Sequence, residues 1–250
     1  MLIKKWILVR KIATSILLTG WFLLAGCSGD RPAPQETMTA NGETNPSFSN
    51  QETIPLNYAP VDTESQVSNQ VGYTEIFEKK RWNGHLVVYT KDQTSSELYI
   101  GQDFDRQIAE FGIIGEEAYL NEISIRQSQV FGEQFIIASG LCGANCSINY
   151  LLQDFNGKLE TFLVVNGALV IADLNRDGMN EMIAMRGTPT AEIRVYKKIG
   201  GQIMSVNINE ALGAIHGVVY NTEENGFETS MDHHVQKYRY CSKGDCLELQ

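Results

Sequence analysis

Three tight-turn pairs recur at nearly constant spacing in the C-terminal hundred residues, and this regularity limits the fold more than any other feature. The pairs are Asn156-Gly157, Gly200-Gly201 and Lys243-Gly244, with their second glycines 44 and 43 residues apart. Each follows an aromatic or apolar run: Tyr150–Phe155, Val195-Tyr196 and Tyr238-Arg239-Tyr240. Glycine reaches positive φ without a Cβ clash, so such pairs favour hairpins. The period is close to that of a four-stranded sheet unit, the repeat of propeller-like arrays. The Asn83-Gly84 turn does not share this register, so the N-terminal part is divergent or differently built.

Short β-like runs fill the intervals: His85–Thr90, Gln134–Ala138, Leu159–Val165, Glu192–Tyr196 and Val235–Tyr240. The best helical candidate is Phe104–Ala118, where Phe104, Ile108 and Phe111 fall at helical spacing. The predicted fold class is mainly β: a β-propeller-like body, or a partial propeller, of short antiparallel hairpins over residues 71–250.

Residues 1–26 read as a secretory signal peptide. Lys4, Lys5, Arg10 and Lys11 precede an apolar run from Ile12 to Leu24 that ends in small residues. The sequence Leu24-Ala25-Gly26-Cys27 resembles the bacterial lipobox. That resemblance implies acylation of the Cys27 thiol, with palmitate-type chains, and cleavage that makes Cys27 the mature N-terminus. Two or three acyl chains anchor stably where one does not. The expected location is the extracytoplasmic face of a cell membrane, held by lipid. Residues 27–70 are rich in Ser, Thr, Asn, Gln, Glu and Pro and are predicted to form a flexible linker, because they bury too little apolar surface to offset their ordering entropy.

The chain carries 20 basic and 30 acidic residues; the signal peptide removes four bases and no acid, which leaves a mature net charge of −14. A body this acidic disfavours nucleic acid as a partner and favours cations. Beyond Cys27 there remain Cys142, Cys146, Cys241 and Cys246. An even number outside the cytoplasm reads as two disulfides. Cys241 and Cys246 flank a hairpin turn, and Cys142 and Cys146 can close a small loop; the sequence leaves all three pairings open, with a four-thiolate zinc site as the rival.

The sharpest local motif is Asp173-Leu-Asn175-Arg-Asp177-Gly178-Met179-Asn-Glu181. Oxygen side chains stand at positions one, three, five and nine, and glycine at six permits a sharp reversal. Calcium takes six or more oxygens in such a cage. An EF-hand would need an acid at position twelve, where Ala184 stands. The alternative is an ordinary Asx-type turn that binds nothing. Together with Gly187-Thr188-Pro189 and Glu192-Ile-Arg-Val-Tyr196, the motif resembles the FG-GAP or VCBS repeat of integrin-α-like β-propellers. The resemblance covers Ile171 to Lys198. It implies one calcium site held by Asp173, Asn175, Asp177, the Met179 carbonyl and Glu181, with Glu181 in place of the usual aspartate.

No nucleophile elbow, zinc-protease helix or P-loop occurs in the sequence. Asp232-His233-His234 is the one histidine cluster, and neighbours on a strand face opposite sides. The expected function is therefore a non-enzymatic, calcium-stabilised surface module for a protein or glycan partner. The alternatives are an envelope hydrolase using Asp232, His233 or His234, and a purely structural accessory protein.

Overall fold

Many strands of this chain carry apolar side chains on both faces, and stacking sheets side by side buries both. The computed structural model describes residues 53–63, 69–104, 106–187, 191–231 and 234–250. They belong to the compact unit Ser49–Gln250. The predicted signal peptide, Cys27, residues 27–52 and 64–68 of the predicted linker, Thr188 and Pro189, and Asp232 and His233 lie outside the described residues.

Three short strands lead: β1 (Thr53–Pro55), β2 (Ala59–Pro60) and β3 (Asn69–Gly72). The first meander is β4 (Phe77–Trp82), β5 (Leu86–Thr90), β6 (Glu97–Phe104) and β7 (Gln107–Glu116). The second is β8 (Ser124–Val130), β9 (Glu133–Gly143), β10 (Cys146–Phe155) and β11 (Lys158–Asn166). The third is β12 (Ala168–Ala172), β13 (Glu181–Arg186), β14 (Glu192–Ile199) and β15 (Gln202–Asn207). After the short helix α1 (Ile208–Leu212) comes the fourth: β16 (Val218–Asn221), β17 (Gly226–Met231), β18 (His234–Tyr240) and β19 (Cys246–Leu249). Each meander forms one antiparallel sheet in sequence order, and none of the four closes on itself. The fold is mainly β, as the sequence predicts.

Two-sided burial is clearest in the middle sheets. Tyr150 and Leu152 pack with Leu86, Val88, Ile100 and Phe111 of the first sheet, while Leu151 between them packs with Met182 and Ala184 of the third. Likewise Ile183 faces the other way from its neighbours, joining Val195, Tyr220, Phe227 and Leu247 between the third and fourth sheets. Runs such as Tyr150-Leu-Leu and Met182-Ile-Ala are therefore continuous in apolarity because the sheet is covered on both sides.

The regular turns are equivalent. Gly157 joins β10 to β11, Gly201 joins β14 to β15, and Gly244 joins β18 to β19, each linking the third and fourth strands of its meander. All three have positive φ, at 86°, 88° and 70°. Gly84 lies between first and second strands instead, which explains its different register.

Two expectations differ from the structure. The helical candidate Phe104–Ala118 contains strand β7. Phe104 is exposed, Ile108 packs with Val87 and Tyr89, and Phe111 turns to a different core, so the three share no face; only the Phe111–Ile114 spacing comes from bulges. Across β6, Tyr99 pairs with Ile113 and Leu98 with Gly115, which skips Ile114; Ile100 pairs with Gly112 and Gly101 with Glu110, which skips Phe111. The two extra residues both turn into the core beside the second sheet. The predicted linker also contributes structure. β1 pairs with β19, β2 with β15 and β3 with β7, all antiparallel. Leu56, only 6% exposed, joins the core between the third and fourth sheets, with Ile54 and Tyr58 packed against it. These apolar residues alternate along an otherwise polar stretch, and alternation suffices for a strand on a sheet edge.

Candidate functional site

The acidic motif connects β12 to β13, the first two strands of the third sheet. Asp173 accepts two backbone N–H bonds, from Asp177 at 3.0 Å and Gly178 at 2.9 Å. Asp177 accepts from the Met179 N–H at 2.8 Å and the Asn175 amide at 2.8 Å. Left-handed backbone at Arg176 (φ 61°) and Gly178 (φ 87°) makes the reversal. Arg176 and Met179 are exposed, whereas Leu174 and Asn175 are buried.

The loop is tied to both neighbouring sheets. The Phe131 N–H donates to the Asn180 carbonyl at 3.0 Å, and the Asn180 amide donates to the Gln129 carbonyl at 3.1 Å. From the fourth sheet, the Asn225 amide donates to the Asp173 carbonyl at 3.1 Å, and Asn225 in turn accepts from the Tyr220 hydroxyl at 2.6 Å. The Gly244 turn also lies against the loop: a Cβ there would stand 2.2 Å from Lys197 Nζ and 2.9 Å from Asn175 Nδ2.

Glu181 is the buried acid of the site, at 2% exposure. One oxygen accepts the Leu174 N–H at 2.9 Å, and the other faces Lys197 Nζ at 3.8 Å. Burial pushes its carboxyl up; the Leu174 N–H and the Lys197 ammonium pull it back, and Asp177 and Asp173 push it further up. The net shift is upward, so the ionised form costs stability as pH rises above the unfolded value of 4.5. A cation beside Glu181 offsets that cost. Asp177 shifts the other way: burial opposes ionisation, but the Asn175 and Met179 donors with the Lys197 charge hold its carboxyl below the usual range.

The donor set fits a hard cation in kind. Asp173, Asn175, Asp177, Glu181 and the Met179 carbonyl offer oxygen, and an N–H bond uses only part of a carboxylate's acceptor capacity. Among the described residues, the carboxylate oxygens of Asp173, Asp177 and Glu181 do not gather within 4.8 Å of one another. Cys241, Asp245 and Cys246 do. The two sulfurs there are bonded to each other, however, so this group offers no thiolate.

The structure pairs Cys142 with Cys146 and Cys241 with Cys246, with Cα separations of 5.0 and 5.4 Å. Both pairs bridge the ends of a tight turn, between β9 and β10 and between β18 and β19. This arrangement favours the two-disulfide reading over the four-cysteine zinc alternative. Of the histidine cluster, His234 is exposed at the start of β18. His85 and His216 are exposed in separate turns.

The far end of the third sheet holds a second feature. Ala168 pairs with Met185 there, at the opposite end of the β12–β13 ladder from the Ala172–Glu181 pair. A pocket of about 330 Å³ opens between the second, third and fourth sheets, lined by Leu141, Ala168, Met185, Ile193, Val218 and Tyr220. Val219, 59% exposed, also lines it. Cys146 places the first disulfide in its wall. The wall acid Glu192 is engaged by Arg194 at 3.6 Å and by the Asn207 amide at 3.2 Å.

Sequence reasoning missed Lys197, Asn225 and Gly244 as partners of the loop. The first was within reach of strand alignment: Met182 pairs with Tyr196, so Lys197 stands one step on, beside Glu181. The other two stand in hairpin turns of a separate sheet, and nothing local marks them as neighbours of the loop. No protein-family model, curated protein or solved structure matches the chain.

Proposed function

We propose that this chain is a non-enzymatic binding or scaffold module of the bacterial cell envelope, anchored by lipid on Cys27, with its sheets acting as blades of a partial FG-GAP/VCBS-like propeller. The observation that carries the reading is the apolar pocket at one end of the third sheet, which accepts an apolar group of a partner. Its aliphatic walls and its single aromatic, Tyr220, suit a protein side chain better than a glycan. The turn equivalence across meanders supports the propeller reading. Calcium is the proposed stabiliser of the other end, held by Asp173, Asn175, Asp177, Glu181 and the Met179 carbonyl. There the loop already bridges the second and fourth sheets, so an ion that stiffens it stiffens their junction.

One experiment tests anchor and pocket together. Cross-linking in intact envelopes, followed by fractionation, is expected to find the wild-type chain in the membrane fraction with a cross-linked protein. Cys27→Ala should move the chain to the soluble fraction. Ala168→Phe, which fills the pocket from an exposed position, should leave it in the membrane without the cross-link. A Cys27→Ala chain that stays in the membrane fraction rules out the anchor, and an unchanged cross-link in Ala168→Phe rules out the pocket.

The calcium reading has its own measurement. Millimolar calcium is expected to raise the melting temperature of the chelator-treated mature chain, more than magnesium does, because ligand that binds only the folded form stabilises it by about 2.7 kcal/mol at a hundredfold excess over Kd. Extracellular sites of this type bind at about 0.1 to 1 mM. Asp177→Ala should remove most of the rise, while Arg176→Ala, at an exposed position, should not. Melting indifferent to calcium returns the loop to an ordinary turn.

A further inference from the structure

The face that the third sheet turns toward the second changes character along its length. Residues paired across β13 and β14 share a face: Met182 with Tyr196, Ala184 with Arg194 and Arg186 with Glu192. Met182 and Ala184 belong to the core between the two sheets, and Tyr196 packs against it. Farther along the ladder the face turns polar, and a cavity of about 160 Å³ opens there against β11. Arg186, Glu192, Arg194 and Tyr196 line it, and the short side chain of Ala184 leaves the space between them open. Arg194 spends little of its donor capacity within the chain. Its Nη1 is 3.4 Å from the Ser205 hydroxyl and its Nη2 3.6 Å from Glu192, both long for a hydrogen bond. Among the described residues, no hydrogen bond or ion pair engages the Arg186 guanidinium or the Tyr196 hydroxyl. Burial pushes the ionisation of that hydroxyl up, Arg194 pulls it down, Glu192 pushes it up and Arg186 pulls it down, so all three charges stand within range of it. Two arginines against one glutamate give the wall a formal charge of +1, in a chain whose net charge is −10.

We propose that this cavity between the second and third sheets binds a monovalent carboxylate, held by the Arg186 and Arg194 guanidiniums with the Tyr196 hydroxyl as a further donor. The planar fork of a guanidinium matches the two oxygens of a carboxylate. One negative charge balances the wall. A second, as on a phosphate dianion, is left beside Glu192 in a chain whose overall charge repels anions. The site needs no metal and stands at the other end of the β13–β14 ladder from the acidic loop. Arg186 and Glu192 also line the apolar pocket, so the two cavities share a wall. The carboxylate belongs to a free small acid or to the C-terminus of a peptide; both present the same group to the arginines.

The test titrates the full chain, with its arginines labelled with nitrogen-15, and follows the guanidinium N–H signals by NMR. The probes are acetate, inorganic phosphate and chloride. Acetate is expected to move the Arg186 and Arg194 signals along one saturating curve and to leave the exposed Arg239 signal, on the fourth sheet, in place. Phosphate should bind more weakly. Losing one charge-assisted hydrogen bond costs about tenfold or more in affinity, so Arg186→Gln and Arg194→Gln should each weaken acetate by that factor, while Arg239→Gln should not. Melting of each variant checks that it folds. Glu192→Gln raises the wall charge by one and should turn the preference toward phosphate by about tenfold. N-acetyl-diglycine and its amide separate the two sources. Binding of the peptide acid more tightly than acetate identifies a chain terminus, equal or weaker binding identifies a free small acid, and the amide should bind in neither case. Shifts no larger with acetate than with equal chloride overturn the site. So do folded Arg186→Gln and Arg194→Gln chains that bind acetate as wild type does. Phosphate bound more tightly than acetate by wild type overturns the monovalent assignment.

Discussion

Replacing Gly140 with alanine is expected to cost about 3 kcal/mol or more, which overpacked cores reach when backbone must move. Gly140 is on β9 and meets β7 of the neighbouring sheet. A Cβ there would lie 2.0 Å from the Ile114 carbonyl oxygen and 3.0 Å from its carbon. The reciprocal contact is as close: a Cβ on Gly115 would lie 2.4 Å from the Leu141 carbonyl oxygen. Neither obstacle is the end of a flexible side chain, so the first two sheets would have to separate, and the core they share with them. That core holds Leu86, Val88, Leu98 and Ile100 on one side and Ala138, Tyr150 and Leu152 on the other. In a domain of this size each kcal/mol shifts melting by about 2–4 °C, so a drop of roughly 10 °C is expected. Gly157→Ala is the comparison. Nothing stands within 4 Å of its Cβ position, and only the left-handed φ of 86° opposes the change. Its cost should be about 1–2 kcal/mol. Urea unfolding of both variants checks the ranking; if Gly140→Ala loses no more than Gly157→Ala, the first two sheets do not meet backbone to backbone.

The same two sheets show why some of the architecture was legible and some was not. Turn chemistry is local, so Asn156-Gly157, Gly200-Gly201 and Lys243-Gly244 announce themselves, and their spacing is the length of one meander. The disulfides are local for the same reason: each joins cysteines at the shoulders of a single turn. Bulges are different. Phe111 and Ile114 are surplus residues in the β6–β7 ladder, and nothing in their own neighbourhood separates a doubly bulged strand from an amphipathic helix. The first meander departs from the regular spacing because it carries these insertions and the turn Glu117–Glu122 after them.

The acidic loop divides along the same line. Its oxygen series and its glycine are contiguous, and the structure draws Asp173, Asn175, Asp177 and Gly178 into one hydrogen-bonded turn. Glu181 takes a different role, buried at the start of β13 and tied to the Leu174 N–H. Its counter-charge is sixteen residues away in sequence, and the glycine that makes room for that charge is on another sheet. Long-range partners of this kind follow from strand register and sheet order, which a single sequence does not disclose. The pocket has the same character: its walls come from three sheets, and although Cys146, Gly187, Glu192 and Ile193 belong to patterns visible in the sequence, nothing in those patterns gathers them around one cavity.

A chain shortened to begin at Val71 is expected to be far less stable than one that begins at Ser49. The sequence places residues 49–70 in a linker, yet they supply two complete edge strands and the first residues of a third. β1 pairs Ile54 with Leu247 and Pro55 with Cys246, beside the disulfide turn that faces the acidic loop. Backbone bonds continue past the strands, from the Leu56 N–H to the Asp245 carbonyl at 2.8 Å and from the Val61 N–H to the Ile203 carbonyl at 2.9 Å. Deleting a buried leucine such as Leu56 costs about 2–5 kcal/mol by itself. The lost ladder bonds add about 1 kcal/mol each, and the bared edges of β15 and β19 become sites for pairing with other chains. The sum is comparable to the 5–15 kcal/mol that holds a typical domain together. The Val71 chain should therefore melt more than roughly 10 °C lower than the Ser49 chain, or unfold and associate. Melting by circular dichroism, with light scattering to detect association, separates the two. Equal melting temperatures would return residues 49–70 to the role of a plain tether and remove β1 and β2 from the fold.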